Sequence, residues 1–405
     1  MKLFQKLIVA PAALGFLIPS AAFAEEIKLA DISNYSSSKE VKSISDFNPA
    51  KELVGTNSRI DGLEAKFNDF EAGSFSETTV MSGSAGFLLG AAEGPTGTAE
   101  SLMMEYTIGV DLDTSFTGDD NLNIGLETGN APGTSNTPGA ILDWGAGNAD
   151  VLKVNDLNYT FPIGEWTIAV GDSMDASKTW PNACSVSNTI DALGDCGAAN
   201  SVDLGGDQSL SVSRAFGDGW EFGLGLSASD GETSQGMFTE EGDDYYGISL
   251  GYEQDTFGVT VAYSSKESTD KTAGASSTAY DVGDPKTETT YLGIVGYYSP
   301  EAFPLTLSGG YEIGDPENDD STYQYTLGAS YELGEGTLSV TGGTNGAFVG
   351  SADDMSDEEE VRAYDFSYAY PINDATEVVP FAYIIPAADS DDDVKGFGAS
   401  VSFSF

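Results

Sequence analysis

The stretch VKGFGASVSFSF, residues 394–405, decides the fold. Its apolar side chains fall on every second position, at Phe397, Ala399, Val401, Phe403 and Phe405, with Gly398, Ser400, Ser402 and Ser404 between them. A period of two places one row on each face of a β-strand. One face is therefore greasy and the other small and polar. A water-soluble sandwich can produce such a strand by accident. A transmembrane β-barrel requires it, because one row meets hydrocarbon and the other a wet lumen. The remaining sequence must then repeat the pattern or refute it.

It repeats. Alternating apolar rows recur at 81–89, 102–112, 122–126, 157–161, 166–170, 210–216, 220–226, 246–252, 257–263, 292–294, 305–313, 323–333, 338–340, 364–370 and 379–385. With the last strand they make about 16, an even number of a length suited to tilted membrane strands. Short turns at 115–120, 162–165, 217–219, 254–256, 299–304, 334–336 and 371–375 alternate with longer, acidic connections. The longer ones run 90–99, 129–150, 172–207, 230–243, 265–287, 315–321, 346–359 and 387–393. Such alternation separates a short-turn end from a long-loop end, which a sandwich has no reason to do. Aromatics crowd the strand ends (Trp166, Trp220, Tyr297, Tyr298, Tyr370), as interfacial girdles do. The fold class is all-β: a transmembrane antiparallel barrel over 76–405, preceded by a short periplasmic helix.

The first 24 residues read as a secretory signal peptide. Lys2 and Lys6 flank an apolar run over 7–18, and Ala22, Phe23 and Ala24 precede the expected cleavage. The run is too short, and too interrupted by Pro11 and Pro19, to span a bilayer as a helix. Within 25–75, Leu53, Ile60, Leu63, Phe67 and Phe70 take heptad-compatible spacing among Arg59, Asp61, Glu64 and Lys66. That pattern predicts a short amphipathic helix, able to pair with copies of itself or to dock on its own barrel. The net charge of −49 repels nucleic acid and attracts cations. Histidine is absent, which removes Ser-His and Cys-His catalysis and the usual zinc sites. Cys184 and Cys196 share one loop of an exported chain, where an oxidising compartment favours a disulfide.

The opening MKLFQKLIVAPAALG, the segment SRIDGLEAKFNDFEAGSFSETT and the barrel that follows it resemble cyanobacterial outer-membrane porins. These belong to the carbohydrate-selective porin superfamily and usually carry an S-layer-homology domain. The terminal strand, with Phe397, Val401, Phe403 and Phe405, is also similar to the C-terminal targeting signal of bacterial outer-membrane barrels. The resemblance implies a homotrimer among outer-membrane lipids and passive diffusion of small hydrophilic solutes and ions, carbohydrates included. The segment between the expected leader and the helix is too short for the S-layer-homology domain, with only residues near 44–46 as a remnant, so the resemblance does not extend to a peptidoglycan tether.

Assigning the apolar rows outward fixes what points inward. A basic residue on the lipid face near the midplane costs roughly 2–4 kcal/mol, so the parity is well determined. The inward row holds Glu105, Asp111, Asp113, Glu127, Asp156, Glu221, Glu253, Glu312, Glu332 and Asp365, with basic residues almost missing. Arg214 and Arg362 fall on the outward parity near strand ends, where they can snorkel. A pore lined by one charge sign selects the other, so a cation preference is expected. The connection 172–207 is the third long loop. By the resemblance it is expected to fold inward as a constriction, with Asp172, Asp175, Lys178, Trp180, Asp191 and Asp195 as its candidates; the alternative is an external lid. No cofactor or metal is expected beyond weak Ca²⁺ or Mg²⁺ binding by acidic loops, which lack EF-hand spacing. No catalytic constellation is visible, so no enzyme is expected. The competing reading is an acidic surface adhesin or S-layer-like structural β-protein.

Overall fold

The computed structural model describes residues 78–93, 101–130, 150–229, 231–233, 236–239, 242–269, 286–317, 320–346, 348–349, 360–386 and 393–405. The expected signal peptide and the helix within 25–75 lie outside these residues. So do the acidic clusters of the last two long connections, apart from Glu360 and Asp393.

One antiparallel sheet contains seventeen strands. They are β1 (Thr79–Glu93), β2 (Met103–Thr114), β3 (Asn121–Gly129), β4 (Lys153–Ile163), β5 (Trp166–Asp172), β6 (Gln208–Phe216), β7 (Trp220–Ser229), β8 (Asp243–Gln254) and β9 (Phe257–Thr269). They continue with β10 (Lys286–Tyr298), β11 (Leu305–Pro316), β12 (Thr322–Leu333), β13 (Gly336–Thr344), β14 (Phe348–Val349), β15 (Arg362–Asn373), β16 (Thr376–Ile385) and β17 (Val394–Ser404). The two-residue β14 only adds a pairing on β12, so sixteen strands build the wall. Each of the sixteen expected rows falls in one of them. β1 pairs with β2 (Thr79 opposite Thr114) and with β17 (Ser84 opposite Ser404), which closes the sheet into a barrel.

The closure explains the terminal aromatic. Gly83 N donates to Phe405 O at 2.8 Å and Phe405 N to Gly83 O at 3.0 Å. A Cβ on Gly83 would stand 2.6 Å from the Phe405 ring, so that ring lies where any side chain at 83 would be. Phe403 meets Phe87 edge-on at 6.4 Å.

The short connections gather at the end where β17 finishes. Gly164 (φ +62°) and Gly334 (φ +70°) supply the left-handed residue that two-residue hairpins need. An outward aromatic band runs along this end: Trp220 lies 6.4 Å from Phe216 and 4.7 Å from Tyr252, which lies 5.9 Å from Phe257. Arg214 sits outward within it, 5.4 Å above the Trp166 ring and paired with Glu165. At the opposite end Arg362 binds Glu360 at 3.0 Å, which also accepts from Tyr325 (2.6 Å) and Tyr323 (3.2 Å).

One strand departs from the expected parity. In β16, Phe381 and Tyr383 point inward: they lie opposite Ser367 and Asp365, and are 6 % and 3 % exposed. Their partners are Leu88, Ile190 and Leu193. The two large rings also need a floor, which Gly398 and Gly396 provide; a Cβ on either would overlap them. The apolar row turned inward because an apolar segment waits inside the barrel to meet it.

Candidate functional site

That segment is the connection 173–207. Its outgoing leg touches successive wall strands. Thr179 N donates to Ser211 Oγ on β6 at 3.1 Å, and Ala183 N to Thr260 Oγ1 on β9 at 3.1 Å. Ser185 N donates to Ser308 Oγ on β11 at 2.8 Å, and Ser187 O accepts from Thr341 Oγ1 on β13 at 2.8 Å. Thr189 donates to Asp365 on β15 through both its N and its Oγ1, and Ile190 N adds a bond of 3.1 Å. The leg ends with Ile190 and Leu193 buried against β1, β15 and β16.

The return leg starts in the 3-10 segment Asp191–Gly197. Cys196 there is disulfide-bonded to Cys184, so the bridge ties the two legs together. Gly197, at φ +70°, packs on the β12 backbone, where a Cβ would come within 2.5 Å. Glu312 on β11 then accepts five bonds. The donors are Asn200 N (3.0 Å), Asn200 Nδ2 (3.0 Å), Ser201 N (2.7 Å), Ser201 Oγ (2.6 Å) and the neighbouring Gln324 Nε2 (2.7 Å). Asp207 N reaches Ser227 Oγ on β7 at 3.1 Å. The loop therefore lies inside the barrel, on the inner face of the strands that follow it in sequence. The external-lid alternative does not describe it.

The wall accommodates the loop with small side chains. Trp180 occupies the space that Cβ atoms on Gly223, Gly225 and Gly247 would fill, and Pro181 covers Gly251. The buried inward rows there are serines and threonines: Ser209, Ser211, Ser227, Ser249, Thr260, Ser264, Ser308, Thr326, Thr341.

The inward carboxylates divide into two groups. Glu105, Glu312 and Asp365 face inward but are buried, Glu312 and Asp365 as loop anchors. Asp111, Asp113, Glu127 and Asp156 stay partly exposed on β2–β4. There they form a ladder with carboxamides. Asn121 and Asn123 donate to Asp113 at 2.8 and 3.0 Å, Asn158 donates to Asp156 at 2.8 Å, and Asn155 donates to Glu127 at 3.2 Å. Glu332 stands exposed at the short-turn rim, on the inward parity of β12. Glu221 and Glu253 line a recess of about 610 Å³ under Pro181 and Asn182, with Asp218 and Asp255 beside them. Tyr297 donates to Glu253 there at 2.7 Å.

The loop candidates also part company. Lys178 Nζ meets Asp156 Oδ2 at 3.1 Å, joining the loop to the ladder. Asp172 ends β5 and accepts from Gln208 at 2.7 Å, while Asp191 is exposed and Trp180 buried. Asp195 is half-buried, and desolvation reinforced by Asp203 pushes its carboxyl up to about 6; Asp175, more exposed, is shifted upward by the same causes. Two residues escaped the sequence reading. Asp203 holds the Ser177 hydroxyl at 3.1 Å. Lys266, an inward base on β9, lies 3.4 Å from Asn200 Oδ1 and over the Tyr245 ring. The even-numbered inward row through Thr260 and Ser264 could have revealed Lys266; its acidic neighbours Asp175 and Asp203 come from the loop and could not be read there. Among the described residues no group of acids, Cys or His is arranged to hold a metal.

Comparison with known proteins agrees with this architecture. No family model matches the chain. A curated protein of Nostoc sp., described as uncharacterized, is 33% identical over 126 residues. That match covers 28% of this chain and 22% of the relative, so the chain spans only that share of the relative's length. Among solved structures, Pseudomonas putida OprB superposes with a TM-score of 0.58 at 9% identity, covering 81% of this chain and 94% of its own. OmpT of Vibrio cholerae gives 0.55 at 12% identity, over 81% and 97%. An anion-selective porin of Comamonas acidovorans gives 0.54 at 13% identity, over 81% and 99%. The chain has the barrel fold of outer-membrane porins.

Proposed function

We propose that this protein is an outer-membrane porin, a passive channel for small hydrophilic solutes and ions that prefers cations to anions. One observation carries the reading. A closed wall, apolar outside, holds an inserted loop against much of its inner face and leaves an Asp/Asn ladder partly exposed on β2–β4. An apolar outer face is what a lipid bilayer demands, and it serves neither an adhesin nor an S-layer protein. With water inside and carboxylates along the way, cations are favoured by charge. The porin of Comamonas acidovorans, on the same fold, is described as anion-selective, so selectivity must come from the lining and not from the barrel.

The remaining parts of the proposal follow from the sequence. The leader over 1–24 directs export, the terminal strand directs assembly, and outer-membrane lipids surround a homotrimer. Neutral carbohydrates fit the same passage, since carboxylates and carboxamides accept and donate to hydroxyl groups. The protein works as a channel and not as an enzyme, and acidic loop tips bind Ca²⁺ or Mg²⁺ weakly. Reversal potentials in a KCl gradient across a planar bilayer test the central claim. A potential on the cation side is expected; one on the anion side would overturn it.

A further inference from the structure

The ion pair between Lys178 and Asp156 has features of a working part and not of a rivet. Its side chains are 33% and 26% exposed, unlike Glu312 and Asp365. A pair so accessible to water is worth about 0–1 kcal/mol, so it opens and recloses readily. Both partners are nonetheless held in place. The Lys178 backbone sits in a tight turn, its N–H donating to Asp175 O at 3.1 Å, and buried Trp180 pins the chain two residues on. Asp156 gives one carboxylate oxygen to Asn158, at 2.8 Å, and turns the other to the ammonium. A fixed backbone thus carries a swinging cation over a pre-aimed carboxylate, at the junction of the inserted loop and the exposed ladder.

We propose that Lys178 is a tethered counter-cation of the passage: its ammonium competes with permeating cations for Asp156 and so sets how strongly the channel prefers them. This rests on the porin reading and names the residue that tunes it. With Lys178 seated, Asp156 is neutralised and the ladder it shares with Asp111 and Asp113 loses one charge. A passing cation that displaces the ammonium takes over the carboxylate, then yields it back as the tether returns. Anions gain nothing, because Lys178 never leaves the neighbourhood of the acids.

The test compares reversal potentials and conductance of the full-length channel for Lys178→Met, Asp156→Asn and the double variant. Lys395→Met makes the same charge change on the outward side of β17, where Lys395 pairs with Asp393 at 2.9 Å. Lys178→Met is expected to raise the cation-to-anion permeability ratio about threefold, the scale of one unit charge a few ångström away in water. In the Asp156→Asn background the same change should give less than half that gain, and Lys395→Met should give none. Lys178→Arg should keep the wild-type ratio, and Lys178→Gln replaces the Met variant if that fails to insert. Equal gains in both backgrounds, or no gain, in a cation-preferring wild type would overturn this inference alone. An anion-preferring wild type would overturn the cation reading and this inference with it.

Discussion

The inner wall has two halves written in different alphabets. From β6 to β13 the inward positions under the loop are mostly glycine, alanine, serine and threonine, and they are buried, with Glu312 among them as an anchor. From β2 to β4 the inward row carries Asp111, Asp113, Asn121, Asn123, Glu127 and Asp156, which stay partly exposed. Both faces are polar or small, so both satisfy the alternation of a membrane strand. The difference is what faces them. Small side chains let a second layer of backbone approach, as glycine does wherever chains must come close. Charged and carboxamide side chains hold water instead. The lumen is therefore part packed protein and part open, and the small side chains mark where the packed part lies.

The largest test of that contrast removes an anchor. Glu312→Ala strands the Asn200 and Ser201 donors in a buried place, and each unmet donor costs about 1–3 kcal/mol. The loop should loosen while the wall persists. Single-channel noise should rise and protease should cut within 173–207, while heat-dependent gel migration is unchanged. Glu312→Gln should recover part of the quiet state. A silent Glu312→Ala would break the division into core and channel.

A subtler test adds one carbon to each half. In Gly225→Ala the new Cβ would lie 2.3 Å from the Ala176 carbonyl oxygen and 2.9 Å from the Trp180 ring, so the loop must move. Such overpacking costs about 1–3 kcal/mol and should shift both tryptophan emission and conductance. In Gly109→Ala, on the exposed half, the nearest atom is Ser84 Oγ at 3.4 Å. That variant should be near neutral, within about 0.5 kcal/mol in thermal unfolding. Equal effects would erase the distinction.

The smallest effect concerns pH. The half-buried Asp195 has its carboxyl pushed up to about 6, from an ordinary 3.8, by desolvation and by Asp203, and the more exposed Asp175 is shifted the same way. The seated loop therefore binds more protons than the released one between those values. Seating should strengthen as pH falls through 6 towards 4, and weaken as it rises. Those two charges also vanish on protonation, so the cation preference should be weaker at pH 5 than at pH 7.5. Reversal potentials measured across that range should show a midpoint near 6; a flat profile would detach these aspartates from the passage.

The wall was legible in the sequence and the loop's seat was not. Alternation depends on one strand at a time, so every wall strand and every short turn could be read locally, down to the outward placement of Arg214. The inward or outward state of Phe381 and Tyr383 could not, because it depends on Ile190 and Leu193 arriving from far away. The same holds for Glu312 and Asp365. Their parity is plain in the sequence, yet whether an inward carboxylate meets solute or backbone N–H is decided by a segment more than a hundred residues earlier. Glycine-rich strands such as β7 carried the clue, since their gaps match Trp180 and Ala176.

The loop's wall contacts lie far ahead of it along the chain: 77 residues for Thr260, 112 for Glu312, 154 for Thr341 and 176 for Asp365. Most of the staves that clasp it thus follow it in the chain, while β1 and β4 precede it. The finished barrel resembles a cask coopered around a mandrel, its hoop shut between Gly83 and Phe405. Closing the barrel and seating the loop should therefore depend on each other.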